Sequence, residues 1–335
     1  MKNFQYFRPT SAEGAVALLD KTWGTAELLG GGTDLLDLQK EYIAQPSKVV
    51  SVGAIKEFEG ISGKDKDPPI IVIGAGTKII ALAHDRSIKE HFPALASAAG
   101  GVGTPQIRHM ATLGGNLCQR NRCWYFRDEN VRCLLKGGDK CFALDGENRY
   151  HAIFTKEHPC VIVSPSTLAP ALIAYGATVE VLGPKGKRTV KLSEFFQAPS
   201  KEGQREHVLA ANEMVLSVSI QAQKGLRSAN YEVAQKRSYD WPMAQAVAAL
   251  HLDGDKAKDV RIVLGHVAPT PLLAEAAMKE IEGKEITEET AAKAGEAATE
   301  GAKPLKQNEY KLRLLAVAVK RALLTAAGAK KYWEA

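Results

Sequence analysis

The chain has no apolar run approaching the about 18 residues of a membrane-spanning helix; its longest candidates are short stretches such as LLAVAV at 314–319. No membrane span is expected. The start, MKNFQYFRPTSAEGAVALL, lacks a basic segment followed by an apolar core, so no secretory peptide is expected either. The formal net charge is +6, yet no block of five or six like charges occurs, which argues against a nucleic-acid-binding tail. Fixed-period repeats and low-complexity tracts are missing, which argues against a solenoid. Neither a G-x-G-x-x-G fingerprint nor a G-x-x-x-x-G-K-[ST] loop is present, so Rossmann and P-loop nucleotide sites lack support. Cysteine is absent outside one window: all five stand at 118, 123, 133, 141 and 160. An odd, clustered set does not suit a disulfide framework or scattered core thiols and points to a local metal or redox site.

What is there is a globular composition, 335 residues with 45% hydrophobic and 24% charged, long enough for two or three domains. Thr10 and Glu13 have capping-box spacing, which predicts a helix over 11–21. The runs KVVSV and IIVIGAG read as short buried strands, so residues 1 to about 63 form one small α/β unit. A second unit carries a helix near 86–99, the loop GGVGTPQIRHMATLGGN, the cysteine segment, and strands near ATVEVLG and EMVLSVSI. The hydrophilic stretch 197–207 reads as a surface loop. After about 225 the strands YEVAQKRS and VRIVLGHVA precede three helical stretches, giving an α+β cap. Leu312, Leu315, Ala316, Val319 and Leu323 recur at helical spacing in the last of these.

Two glycine clusters carry the first chemistry: GGGTDLL at 30–36 and TLGGN at 112–116. Without side chains, successive backbone N–H groups can approach an anion and form a nest suited to pyrophosphate, with Thr33 and Thr112 adding hydroxyls. For either loop alone a tight turn is the better explanation, since glycine doublets are common.

Together with their surroundings the loops carry a resemblance. LLGGGTDLLDLQ, IRHMATLGGNL, VIVSPSTLAPALIAYGATV and LGHVAPTP, in this order, resemble the FAD-binding subunits of the xanthine dehydrogenase and carbon monoxide dehydrogenase family. The resemblance implies an α+β fold with a two-part FAD-binding domain of the vanillyl-alcohol-oxidase type over 1–222. Its subdomains would lie at about 1–63 and 64–222, followed by a C-terminal flavoprotein domain over 226–335. It also implies that Gly30, Gly31, Gly32, Thr33, Asp34 and Leu35 hold the FAD pyrophosphate from one side, and Thr112, Gly115 and Asn116 from the other. Thr167 stands where the family often has an acid, and Glu232 where it often has a base.

The cysteine segment follows the second loop immediately. Four thiolates are the usual ligation of a four-iron cubane, whereas zinc sites usually contain close pairs such as C-x-x-C, and none is present here. Zinc is disfavoured but stays open, and His151 and His158 are expected to make ordinary hydrogen bonds. RCWYF, RC, KC and PC are similar to the four-iron segment in flavin subunits of 4-hydroxybenzoyl-CoA reductase and, more closely, periplasmic aldehyde oxidoreductase. That similarity implies an insertion over about 118–160 with Cys123, Cys133, Cys141 and Cys160 as ligands of a 4Fe-4S cluster. Cys118 is left as a spare thiol. Arg108, Arg120, Arg122, Arg127, Arg132, Lys136 and Lys140 crowd the region, and positive charge raises a cluster's potential.

The implied function is that of an FAD- and 4Fe-4S-containing electron-transfer subunit of a molybdenum hydroxylase. The chain has no two-iron C-x4-C-x2-C spacing, so the molybdenum cofactor and 2Fe-2S clusters would sit on partners. Those partners are a molybdopterin-binding large subunit and a two-iron small subunit, in a heterotrimer or its dimer. No catalytic side chain is assigned, because the cofactors carry the redox chemistry. The expected compartment is the cytoplasm, or the periplasm by co-export with a signal-bearing small subunit. A free-standing flavin oxidoreductase and a zinc-stabilised scaffold are the rival readings.

Overall fold

Short apolar runs bounded by turn residues become three sheets in succession along the chain. The computed structural model describes residues 1–65, 67–236, 239–329 and 333. Strands β1 (Gln5–Phe7), β2 (Ala26–Leu29) and β3 (Lys48–Ser51) form a parallel sheet in the order β1-β3-β2. A five-stranded antiparallel sheet follows, from β4 (Ile61–Ser62), β5 (Ile70–Gly74), β6 (Thr178–Gly183), β7 (Gly186–Lys191) and β8 (Met214–Gln221). Its order is β4-β5-β8-β6-β7, so the two halves of the sheet come from either side of a long excursion. The third sheet is antiparallel, in the order β12-β11-β10-β9, from β9 (Arg227–Ala234), β10 (Pro242–Asp253), β11 (Lys256–Gly265) and β12 (Leu272–Leu273).

The excursion between β5 and β6 holds a set of short helices, the second glycine loop and the cysteine segment, while the first glycine loop lies earlier, directly after β2. The helix expected over 86–99 is two helices, Arg86–His91 and Pro93–Gly101, because Phe92 has non-helical backbone and Pro93 opens the second. The first helix of the chain runs only over Ala12–Leu18, and its cap is Ser11, whose hydroxyl accepts from Gly14 N, rather than Thr10. The three C-terminal helices are Glu275–Ile281, Glu288–Ala297 and Tyr310–Ala327.

Two large cores support this arrangement. One lies between the first two sheets and their helices and includes Val50, Ile71, Ile73, Leu95, Leu172, Val179 and Val218. The other lies between the third sheet and the C-terminal helices, with Ala246, Ala248, Leu250, Ile262 and Leu264 against Leu315, Val319 and Leu323. Strand β10 serves both, since Val247 and Ala249 point into the first core while their neighbours point into the second. It was absent from the sequence expectations. A third, small core joins Leu38, Phe126, Cys133, Leu135, Cys160 and Ile162. It seats the cysteine segment on the helix Leu35–Lys40 that follows the first glycine loop.

Candidate cofactor site

Strand β2 ends at Leu29, and the chain turns through three glycines into the helix Leu35–Lys40. Gly32 has φ +78°, a left-handed backbone that glycine takes without strain. Gly31 is required for a different reason: a Cβ there would stand 1.9 Å from the carbonyl oxygen of Met110. The two glycine loops therefore touch backbone to backbone. The second loop is pinned in turn, since Leu113 N donates to Thr77 O and Gly114 N to Ala75 O at the end of β5. Thr112 Oγ1 accepts from Gly115 N at 3.2 Å, capping the helix Leu113–Cys118. Asn116 Oδ1 accepts from Ser166 Oγ at 2.7 Å, which fixes its orientation.

A cavity of about 410 Å³ opens between the loops. Gly30, Gly31, Gly32, Thr33, Asp34, Leu35, Thr112, Gly115 and Asn116 all border it, so the structure brings every sequence-derived loop residue to one wall. Its size suits a cofactor pocket. Trp23, Leu28, Val52, Leu209 and Met214 supply apolar wall, and Tyr239 and Trp241 contribute from the third-sheet side. His207 also borders the cavity, held against the rings of Trp23 and Phe195, and its Nδ1 is buried without a hydrogen-bond partner among the described residues. Burial, with Arg205 and Arg120 nearby, pushes its pKa down to about 3, so the ring is neutral. An apolar slot, a glycine nest and a buried polar atom left for an occupant fit FAD.

The stretch 197–207 is not wholly a surface loop. Its end dives inward: Glu206 and His207 are buried, and Arg205 stacks on Trp23 while pairing with Glu27. Glu206 accepts from the backbone and side-chain nitrogens of Asn121 and pairs with Arg120 at 2.7 Å. Burial raises its pKa, but Arg120 and Asn121 outweigh that and hold it ionised. Nothing in the polar string QREH distinguishes these residues from solvated ones.

Asp34 occupies a special place. Its carboxylate meets Arg122 Nη1 at 2.9 Å and Arg127 Nη2 at 2.7 Å, and accepts from Arg120 N at 2.9 Å. Burial favours the neutral acid, yet the two guanidinium groups prevail and its pKa is lowered. Asp34 thus borders the cavity and fastens the first glycine loop to the cysteine segment. Arg122 also lies over the Trp241 ring at 4.9 Å. Of the two positions that depart from the family pattern, Thr167 borders the cavity, with Oγ1 3.3 Å from His266 Nε2. Glu232 lies behind Gly101, accepts from Asn230 Nδ2, and is pushed up to about 7 by burial.

The cysteine segment contains little regular structure, a four-residue helix at Trp124–Arg127 and a single 3-10 turn at Leu134–Lys136. Cys123 caps the first and Cys133 the second. Cys123 lies within electrostatic range of Cys133 and Cys141, and Cys160 within range of Cys141 and Cys123. Cys141 and Cys160 form a thiol–thiol hydrogen bond, which brings Cys141 down to about 6 and raises Cys160, so the pair keeps one proton. Cys118 instead borders the flavin-sized cavity. All five thiols are free, and among the described residues no three His, Cys, Asp or Glu side chains are grouped to hold one metal ion. His158 bonds the Cys160 backbone, and His151 Nε2 lies 3.2 Å from Cys123 Sγ.

Known proteins similar to this chain share its FAD-binding architecture. Residues 2–221 match the family described as FAD binding domain in molybdopterin dehydrogenase, and residues 229–326 match the CO dehydrogenase flavoprotein C-terminal domain. The chain is 32% identical over 283 residues to the aldehyde oxidoreductase FAD-binding subunit of Escherichia coli K12, covering 83% of this chain and 85% of that one. It is 28% identical over 324 residues to the carbon monoxide dehydrogenase medium chain of Hydrogenophaga pseudoflava, covering 96% of each. A solved structure of carbon monoxide dehydrogenase from Hydrogenophaga pseudoflava superimposes with a TM-score of 0.76 over 98% of both chains.

Proposed function

This chain belongs to the family of FAD-binding subunits of molybdenum hydroxylases, the xanthine dehydrogenase and carbon monoxide dehydrogenase type, and from that premise we propose that it carries electrons between FAD and a 4Fe-4S cluster of its own. The family makes it an oxidoreductase subunit whose relatives are medium chains of multi-subunit enzymes. The partners we propose are a molybdopterin-binding large subunit, where substrate is oxidised, and a two-iron small subunit that delivers the electrons. FAD supplies the conversion between single electrons and electron pairs.

The residues of this chain bind and orient. The loops at 30–35 and 112–116 hold the pyrophosphate by backbone N–H groups, and the Gly31–Met110 contact sets the spacing between them. The side chains of the cysteine segment hold the cluster, with Cys123, Cys133, Cys141 and Cys160 as ligands. The single observation that carries this part is the gathering of Cys123, Cys133 and Cys160 at one small core, with Cys141 beside Cys160 and within electrostatic range of Cys123, and the fifth thiol apart on the flavin cavity. A cubane takes one thiolate per iron, so its ligand sulfurs stand around a volume instead of meeting at a point.

The absorption spectrum and metal analysis of the purified chain test the reading. Flavin bands with a broad iron-sulfur shoulder, near four irons per FAD, are expected. Flavin without iron removes the cluster and leaves an FAD subunit; zinc on the thiols makes the segment a structural insertion.

A further inference from the structure

Among the described residues, the imidazole of His151 stands within hydrogen-bond distance of a proposed ligand sulfur. Its Nε2 stands 3.2 Å from Cys123 Sγ. A cluster-bound thiolate is an acceptor only, so this contact is a hydrogen bond when the ring carries its proton on Nε2. The other ring nitrogen, Nδ1, is buried with no hydrogen-bond partner among the described residues, so none of them draws the proton to that side.

The position of the ring is built from far along the chain. His151 N donates to Asn148 O, and the ring packs edge-on against Trp124 at 5.7 Å between centroids. Its carbonyl accepts from Lys311 Nζ at 3.0 Å and from Asn308 Nδ2 at 3.2 Å, both from the C-terminal domain. Lys311 is fully buried and also donates to His266 O at 2.8 Å, where His266 holds a left-handed backbone at φ 60°. A buried lysine whose donors meet the carbonyls of two remote loops is a clamp. It joins the cysteine segment to the turn after β11, and the neighbouring Thr167–His266 contact reaches the flavin cavity wall.

The backbone N–H groups of Tyr125 and Phe126 also point at Cys123, so the imidazole adds to donors already aimed at this sulfur. Hydrogen bonds to ligand sulfurs stabilise the reduced, more negative cluster and raise its potential. We propose that His151, held by Lys311, is a positioning residue for the cluster, donating from Nε2 to the Cys123 thiolate and raising the cluster's reduction potential. This rests on the four-iron reading of the segment.

The test uses the full chain in its assembled complex. Iron and acid-labile sulfide are measured first, because absent iron overturns the four-iron reading and this inference with it. In iron-replete protein, redox titration followed by the paramagnetic signal of the reduced cluster compares wild type, His151→Phe and His151→Gln. In His151→Phe the ratio of oxidised to reduced cluster at a fixed potential is expected to rise about tenfold, ~59 mV for a one-electron couple. His151→Gln, which can still donate, should recover part of the shift. An unchanged potential in iron-replete His151→Phe overturns the proposal and leaves His151 as a packing residue. Should that variant fail to hold iron, wild-type protein labelled with 15N-histidine decides: one histidine nitrogen coupled to the cluster spin is expected, and no coupling overturns the proposal.

Discussion

The flavin cavity and the cysteine segment sit side by side, yet they are built on opposite plans. The cavity wall is made of loops pinned to strand ends by backbone hydrogen bonds and set over a large apolar core. The cysteine segment has almost no ladder of its own; a small core and a set of charged side chains attach it to its surroundings. The first site is shaped by backbone contacts, whereas the second is held in place by its side chains. Asp34 is where the two plans meet, bordering one site and fastening the other.

The largest expected effects separate the two regions. In Gly31→Val the new side chain drives into the Met110 carbonyl; overpacking of about 3 kcal/mol, roughly a hundredfold in FAD affinity, should leave the chain without flavin but with its iron. FAD released on denaturation and iron per chain measure both, and a flavin-replete Gly31→Val protein would break the assignment of this loop. Conversely, single serine replacements of Cys123, Cys133, Cys141 or Cys160 should each remove most of the iron, whereas Cys118→Ser should keep it. An iron-poor Cys118→Ser alongside an iron-replete Cys160→Ser would redraw the ligand set.

A smaller effect tests the meeting point. Asp34→Asn removes a charge held by Arg122 and Arg127, and a charged hydrogen bond is worth about 1.5–3 kcal/mol, so FAD affinity and cluster retention should fall together. Loss of one without the other would show the regions to be independent. The same tie gives a pH dependence. Because the folded pKa of Asp34 is depressed, its stabilisation is complete above the ordinary aspartate value near ~3.9 and is lost as pH falls through the lower folded value. Flavin release on acidification should therefore begin lower in wild type than a free aspartate would dictate. Smallest, Thr287→Ala removes the cap of the helix Glu288–Ala297, remote from both sites, and should cost about 1 kcal/mol of stability with FAD and iron unchanged. Thermal unfolding with cofactor analysis checks it.

What the sequence made legible follows the same division. Glycine clusters beside apolar runs are local signals, and β3, β5, β6 and β8 lie where the apolar runs predicted them. Strand β10 escaped because PMAQAVAALHLD has apolar residues on both faces, one for each core, and therefore shows no alternation. Lys311 escaped because a lysine opening an amphipathic helix reads as solvated, and only the carbonyls of residues 150, 151 and 266 give it a buried place. Asp34 was legible as a loop residue, but its partners lie more than eighty positions away and no short-range pattern encodes them.

Strand β5 pairs with β8, Ile70 opposite Gln221, and the whole cysteine segment is threaded between them. This has a consequence for synthesis. The middle sheet cannot close until residues 214–221 have been made, which at about 5–20 residues per second comes several seconds after Cys160 is translated. During that interval the thiols are joined to a chain whose sheet is still open, and the entropy of closing so long a loop has yet to be spent. The topology thus keeps the four thiols proposed as cluster ligands on an unfinished domain for those seconds.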